Sequence, residues 1–133
     1  MTTRIIHPEG WKPAKGYANG ILTKDGTLYI GGQIAWNDQQ EFVSDTFIGQ
    51  MEQILRNIVA VIEAAGGTAA DLVRLTWYVT DKADYLAHQK DVGEVYRRVL
   101  GRNFPAMTMV VVSELVEDKA LLEIEGTAVL TQA

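Results

Sequence analysis

The chain contains no cysteine, which removes disulfides, thiolate zinc sites and thiol nucleophiles from consideration. Imidazole is nearly as scarce. His7 and His88 are the only two and stand outside any ligand-spacing motif, so no metal is expected. Basic residues are in deficit, 12 against 17 acidic, for a net charge of −5. Phosphate backbones and anionic membrane surfaces both select clustered Lys and Arg, so neither nucleic acid nor membrane is an expected partner. No run approaches the ~20 apolar residues of a membrane span. The opening Met1-Thr2-Thr3-Arg4-Ile5-Ile6-His7-Pro8 has no apolar stretch of signal-peptide length, which makes the cytoplasm the expected location. Prolines number three, and there is no repeat, low-complexity tract or linker. Phosphate-loop and nucleophile-elbow glycine patterns are missing too.

What remains is ordinary globular material: 133 residues, 47% hydrophobic and 22% charged, read as one domain over 1–133. Tyr17 to Thr23 and Thr27 to Ile30 read as strands joined by the Lys24-Asp25-Gly26 turn, with Gly31-Gly32 ending the second. Ser44 to Ala65 is a helix capped by Ser44 or Asp45. Its stripe is Phe47, Met51, Ile54, Leu55, Ile58 and Ile62, and Gly66-Gly67 stops it. Leu72 to Thr80 is a strand with Val73, Leu75, Trp77 and Val79 on one face. Lys82 to Leu100 is a second helix, interrupted in composition by Gly93. Phe104 to Leu115 is an apolar run that reads as a central strand, covered on both sides. Leu121 to Leu130 closes the chain. Leu122, Ile124, Gly126 and Ala128 face the core there, and Glu123 and Glu125 lie opposite.

This order predicts an α+β fold with two helices on one face of the sheet. The other face is expected to carry Met107, Met109, Val111 and Leu121, too much apolar surface for a monomer to leave wet. A homo-oligomer packing sheet on sheet, with a small-molecule pocket at the subunit boundary, follows from that pattern.

Glu123 shares that partly buried face, where a desolvated carboxylate acts as acid or base or holds a water; otherwise it sits at a sheet edge in solvent. Gly31, Gly32 and Gln33 allow close backbone approach to a ligand and supply an amide, or simply end a strand. Tyr17 either presents its hydroxyl to a pocket or packs with a wet tip. Trp36, in a polar loop, is a pocket candidate, whereas Trp11 and Trp77 read as packing. His88 reads as a packed or half-exposed imidazole, and Arg97-Arg98 with Arg102 as a solvated helix end.

At Pro105-Ala106, Ser113-Glu114-Leu115 and Leu122-Glu123-Ile124-Glu125 the chain resembles the YjgF/RidA family. The likeness extends over nearly the whole chain, through Gly16-Tyr17, Gly32-Gln33-Ile34, Glu63-Ala64-Ala65-Gly66 and Phe104-Pro105-Ala106. The resemblance implies a chorismate-mutase-like homotrimer with clefts between subunits. It also implies hydrolysis of enamine and imine metabolites to ammonia and a 2-oxo acid, with no cofactor. In those terms Glu123 and Tyr17 are catalytic, and Met107, Gly31, Gly32, Gln33, Trp36 and Gly93 bind substrate.

Three positions depart from the family pattern. Deaminating members carry Arg directly after the Pro-Ala pair, where this chain has Met107. They often have Ser at Gly31 and tend to have Asn at Gly93. Losing a charge-assisted bond of roughly 1.5–3 kcal/mol corresponds to about 10- to 150-fold in binding. Weak or no activity on the usual 2-imino acids is therefore expected, unless another residue such as Arg74 supplies the charge. The alternative is a non-catalytic trimer that binds a small molecule. The ribonuclease activity ascribed to some relatives fits the acidic charge least.

Overall fold

The computed structural model describes residues 3–130. Six strands form one sheet: β1 (Thr3–Ile6), β2 (Gly20–Thr23), β3 (Thr27–Gln33), β4 (Leu72–Val79), β5 (Ala106–Val111) and β6 (Leu122–Val129), in the spatial order β1-β2-β3-β6-β4-β5. All neighbours are antiparallel except β4 and β5, which are parallel and joined by the helical crossover that parallel strands require. The β2–β3 hairpin turns at Gly26, whose φ of 94° belongs to glycine. The Asp25 carboxylate accepts from the Thr23 hydroxyl and from the Thr27 N–H at 3.0 Å, which in that order hold its pKa below the ordinary value.

Helix α1 (Phe47–Ala64) starts two residues later than a Ser44 cap would set it and one later than an Asp45 cap. Thr46 is the cap, and its hydroxyl accepts the Gly49 N–H at 3.1 Å while Ser44 braces Thr46. Its end is the expected one: Gly66 at φ 96° lets the Gly67 N–H reach back to the Ile62 carbonyl. The helix expected over Lys82 to Leu100 is broken at His88 (φ −123°, ψ 22°) into α2 (Lys82–Ala87) and α3 (Gln89–Leu100). The His88 ring donates through Nδ1 to the Asp84 carbonyl at 2.8 Å, a local role in keeping with a half-exposed imidazole.

α1 and α3 pack together on one sheet face over Leu28, Ile30, Leu75, Trp77, Val79, Leu122, Ile124 and Ala128, all buried. Fully burying one such side chain contributes about 1.5–3 kcal/mol, so this layer dominates stability. Even-numbered β6 residues do face this core, and Glu123, Glu125 and Thr127 face the other way.

Several expectations are corrected. The Phe104–Leu115 run is not a central strand. Its ordered part, β5, lies at the sheet edge, paired on one side only. Met107, Met109 and Val111 align with Leu75, Trp77 and Val79, so they lie on the helix-bearing face, and Leu121 packs against the core. The open face carries Ile21, Tyr29, Tyr78 and Val110 among polar residues instead. Val73 leaves the core face because the β4–β6 register shifts between Leu72 and Arg74, and Leu72 is buried in its place. β3 runs on through Gly31-Gly32 to Gln33, Tyr17 precedes β2 rather than opening it, and β1 was not anticipated at all. Among the described residues no helix is long and apolar enough to cross a membrane.

Candidate functional site

Two cavities divide the candidate residues between them, with no lining residue in common. The first, about 330 Å³, takes Tyr17, Gly32, Gln33, Trp36 and Glu123, together with Trp11, Lys12 and Asn57. The second, about 230 Å³, lies between β4, β5 and the crossover helices and takes Met107 and Gly93. Gly31 lines neither. Its N–H donates to the Asn19 carbonyl at 2.9 Å, and its role is backbone packing.

Glu123 occupies the first cavity through a register irregularity. β3 and β6 pair regularly up to Ile30, then shift before Gln33, which brings Gly32 against the glutamate. A Cβ on residue 32 would lie 2.0 Å from the Glu123 Oε2 and 2.9 Å from its Cδ. Only glycine leaves room for the carboxyl group in this place. Glu123 is half-buried, and among the described residues it makes no hydrogen bond or ion pair. Burial pushes its pKa above the ordinary range, and the charge on Glu125 adds to the push. An unpaired carboxylate with raised basicity is suited to accept a proton from water or a substrate.

Buried amides build the walls. Gln33 donates to the Asn19 side chain and to the Gly31 carbonyl, both at 3.1 Å, closing the strand end over itself. Asn57 projects from α1 and donates to the carbonyls of Ile34 and Trp36 at 3.3 and 2.9 Å, while Gln53 holds its other end at 2.8 Å. That contact sets the Trp36 loop, and the Trp36–Phe42 bridge closes it. The opposite wall is anchored from further along the same helix. Gln50, fully buried, donates to the carbonyls of Ser44 and Lys119 and accepts the Leu121 N–H. This fixes the segment that presents Val116 and Glu117 to the cavity. Tyr17 is half-exposed at the mouth, where the Gln40 amide approaches its hydroxyl at 3.5 Å.

Trp11 is not mere packing, since it lines the first cavity with Trp36. His7 orients it, donating to the Trp11 carbonyl at 3.0 Å and accepting the Asn19 amide at 3.4 Å. Asn57 and Gln50 were missed as well, and a signal for them existed. Both sit at three- and four-residue steps within the buried stripe of α1, where a polar residue demands a partner. Lys12 gave no comparable signal.

In the second cavity Trp77 forms the floor and Tyr85, Tyr96, Phe104 and Met109 the sides. Tyr96 and Phe104 stack at 5.7 Å, and the Tyr96 hydroxyl donates to the Asn103 carbonyl at 3.0 Å. Gly93 costs about 1 kcal/mol of helix stability relative to Ala, yet a Cβ there would meet only the Arg97 guanidinium, at 3.5 Å. Arg74, the candidate replacement charge, lines neither cavity and belongs to the open sheet face. Glu125 is exposed there and raises the pKa of Tyr78 beside it, after the effect of desolvation. Among the described residues no group of three or more His, Asp or Glu could hold a metal ion.

The family model described as Endoribonuclease L-PSP matches residues 9–130. A RutC family protein of Haemophilus influenzae is 36% identical over 129 residues, covering 97% of this chain and 98% of its own. One from Pyrococcus horikoshii is 37% identical over 118 residues, covering 88% and 89%. Among solved structures, a protein of unknown function of the conserved Rid family from Yersinia pestis superposes with a TM-score of 0.82 at 31% identity, covering 96% of this chain and 99% of that one. Escherichia coli TdcF, solved with bound serine, gives 0.80 at 27% identity and the same coverage.

Proposed function

The chain belongs to the endoribonuclease L-PSP family, which takes in the RutC and Rid proteins, and from that premise we propose that it hydrolyses small enamine or imine metabolites, with Glu123 as the base. The observation that carries this is the Glu123 carboxylate: half-buried, unpaired among the described residues, raised in pKa, and given its place by Gly32. Glu123 takes a proton from water as the water oxygen attacks the C=N carbon, and passes that proton to nitrogen. The neutral carbinolamine then collapses: the carboxylate takes the hydroxyl proton and returns it to nitrogen as the C–N bond breaks, leaving ammonia and a carbonyl product. An enamine enters the same sequence after protonation at carbon. Tyr17 and Gln33 border the substrate, and Trp36 and Trp11 form its wall. An RNA substrate is disfavoured by Asp38, Glu117 and Glu123 around the cavity and by the net charge of −5.

The second half of the site comes from another copy of the chain. Gly32 on β3 and Met107 on β5 are separated by β6 and β4, three inter-strand steps of ~4.8 Å or about 14 Å. One small metabolite does not reach both within a protomer. β5 is an open edge whose Met107, Val110 and Val111 are exposed, which supports a neighbouring subunit there. A homotrimer would repeat this cleft three times, and sedimentation should give three times the 14.7 kDa chain mass.

The direct test is ammonia release from freshly generated 2-aminoacrylate. Wild type should be weak on this small substrate, Met107→Arg stronger, and Glu123→Gln inactive. Turnover that survives Glu123→Gln would refute the assignment of the base. Ligand-induced thermal stabilisation with no turnover would establish binding alone, a role that the apolar wall at Met107 favours. Co-expressing Glu123→Gln with Gly93→Phe, each inactive alone, should restore about one quarter of the clefts in a randomly mixed ring. No restoration would place the whole site in one protomer.

A further inference from the structure

We propose that Arg97 is the anion-recognition group of the second cavity, and that the ligand it selects is a carboxylate carrying an aromatic or branched apolar body. Helices α1 and α3 carry three arginines, Arg56, Arg97 and Arg98, and two of them are paired. Arg56 and Arg98 share the Glu52 carboxylate, with contacts of 2.8 and 2.7 Å. Arg97 is exposed, and among the described residues its guanidinium has neither an ion pair nor a hydrogen bond.

Gly93 stands one helical turn earlier. The Arg97 Nη1 lies 3.5 Å from the position a Cβ on Gly93 would take, so the side chain folds back along α3 to the cavity wall that both residues line. No backbone or core atom crowds Gly93. A glycine that weakens a helix without any steric need serves here as open space beside a cation. Guanidinium offers a planar, forked set of donors that matches a carboxylate.

The remainder of the cavity is apolar and aromatic: Trp77, Tyr85, Tyr96, Phe104, Met107 and Met109. At about 230 Å³ it exceeds the ~150 Å³ apolar cavity that accommodates benzene, which leaves room for a ring and a short acid arm. Trp77 lines the cavity too, and its indole N–H is the single buried side-chain polar atom among the described residues without a hydrogen-bond partner. The arrangement therefore offers one exposed cation beside an apolar and aromatic wall. For the reaction this rests on the function proposed above and names its substrate class; for binding it stands by itself.

The test uses 15N-labelled protein titrated with phenylpyruvate, following the Trp77 indole resonance assigned by Trp77→Phe. Phenylpyruvate should move that resonance and saturate. The dissociation constant should rise about tenfold in Arg97→Gln, and by a similar factor when phenylacetone, the methyl ketone with the same ring, replaces the acid. Arg98→Gln, one residue along and paired elsewhere, should stay within about twofold of wild type. Equal affinity in Arg97→Gln, equal affinity for phenylacetone, or shifts confined to the Trp11 and Trp36 resonances would each overturn the assignment. So would an absence of binding. Arg97-dependent binding without ammonia release from any imine would sink the proposed reaction and leave this site standing. Glu123-dependent hydrolysis with KM unchanged in Arg97→Gln would do the reverse.

Discussion

Replacing Gly32 by alanine isolates the role of Glu123 without touching its chemistry. The added Cβ would lie 2.0, 2.9 and 3.1 Å from the Oε2, Cδ and Cγ of Glu123. Ordinary contact begins near 3.4 Å, so the carboxylate oxygen must retreat by about 1.4 Å. Misplacing a reacting group by ~1 Å can cost about 100-fold in rate, and a loss of that order in kcat for ammonia release is expected. Stability should hardly change. The backbone at Gly32 is not in the positive-φ region, so alanine fits it. The atoms that must give way are the outer end of one flexible side chain, and the smaller entropy of the unfolded chain offsets ~0.4–1 kcal/mol. Calorimetry should therefore place Tm within a few degrees of wild type. The double variant Gly32→Ala with Glu123→Gln should be no worse than Glu123→Gln alone, since both remove one function. Gly31→Ala is the contrasting case. Its Cβ would lie 3.1 Å from the Ala18 carbonyl, which is backbone and not free to swing, so the cost should appear in Tm. Wild-type turnover in Gly32→Ala would refute the reasoning, because the carboxylate would then be active from a different position.

Stability should depend on pH through Glu123. Its folded pKa is raised by burial and by Glu125, so the native state binds that proton more tightly than the unfolded chain. This stabilising contribution is full below the unfolded value near 4.5 and is lost as pH rises through the folded pKa. Glu123→Gln should thus raise Tm relative to wild type at pH 8 more than at pH 4, and a constant difference across that range would contradict the assignment. Gln50→Leu keeps the volume but orphans the Ser44 and Lys119 carbonyls and the Leu121 N–H. At about 1–3 kcal/mol for each buried unsatisfied group, urea unfolding should show a loss of at least ~3 kcal/mol. A loss below ~1 kcal/mol would mean that water replaces the amide. Trp77→Phe trades ring volume for removal of a donor with no acceptor. The two effects are of similar size, so stability should stay within about 1 kcal/mol of wild type, and a much larger loss would show that the indole N–H is satisfied in solution.

Periodicity made most of the fold legible. The apolar stripe of α1, its glycine stop, and the alternation of Leu122, Ile124 and Ala128 against Glu123 and Glu125 all follow from side-chain direction. What escaped is what periodicity does not encode. β1 is four residues long, too short to alternate visibly. The break at His88 has neither proline nor glycine to announce it. Met107 to Val111 read as an interior strand because both of its faces are apolar, and yet β5 is an edge. Apolar faces call for cover, but they do not tell an interior strand from an edge strand whose side chains stay exposed.

The division of the site has the same origin. Chain order places Gln33, Gly93, Met107 and Glu123 on one line, but whether they meet is decided by the crossover that carries β5 past β4 to the far edge. Glu123 and Gly32 share a cavity because β3 and β6 are neighbours, and Met107 and Gly93 share another because β5 and α3 are. A motif that matches in sequence order can thus be two half-sites in space. Each cavity has its own chemistry: a carboxylate among amides and indoles in one, an arginine beside aromatic side chains in the other. The base proposed at Glu123 and the cation proposed at Arg97 become complementary parts of one hydrolytic cleft only if a second copy brings the two cavities together.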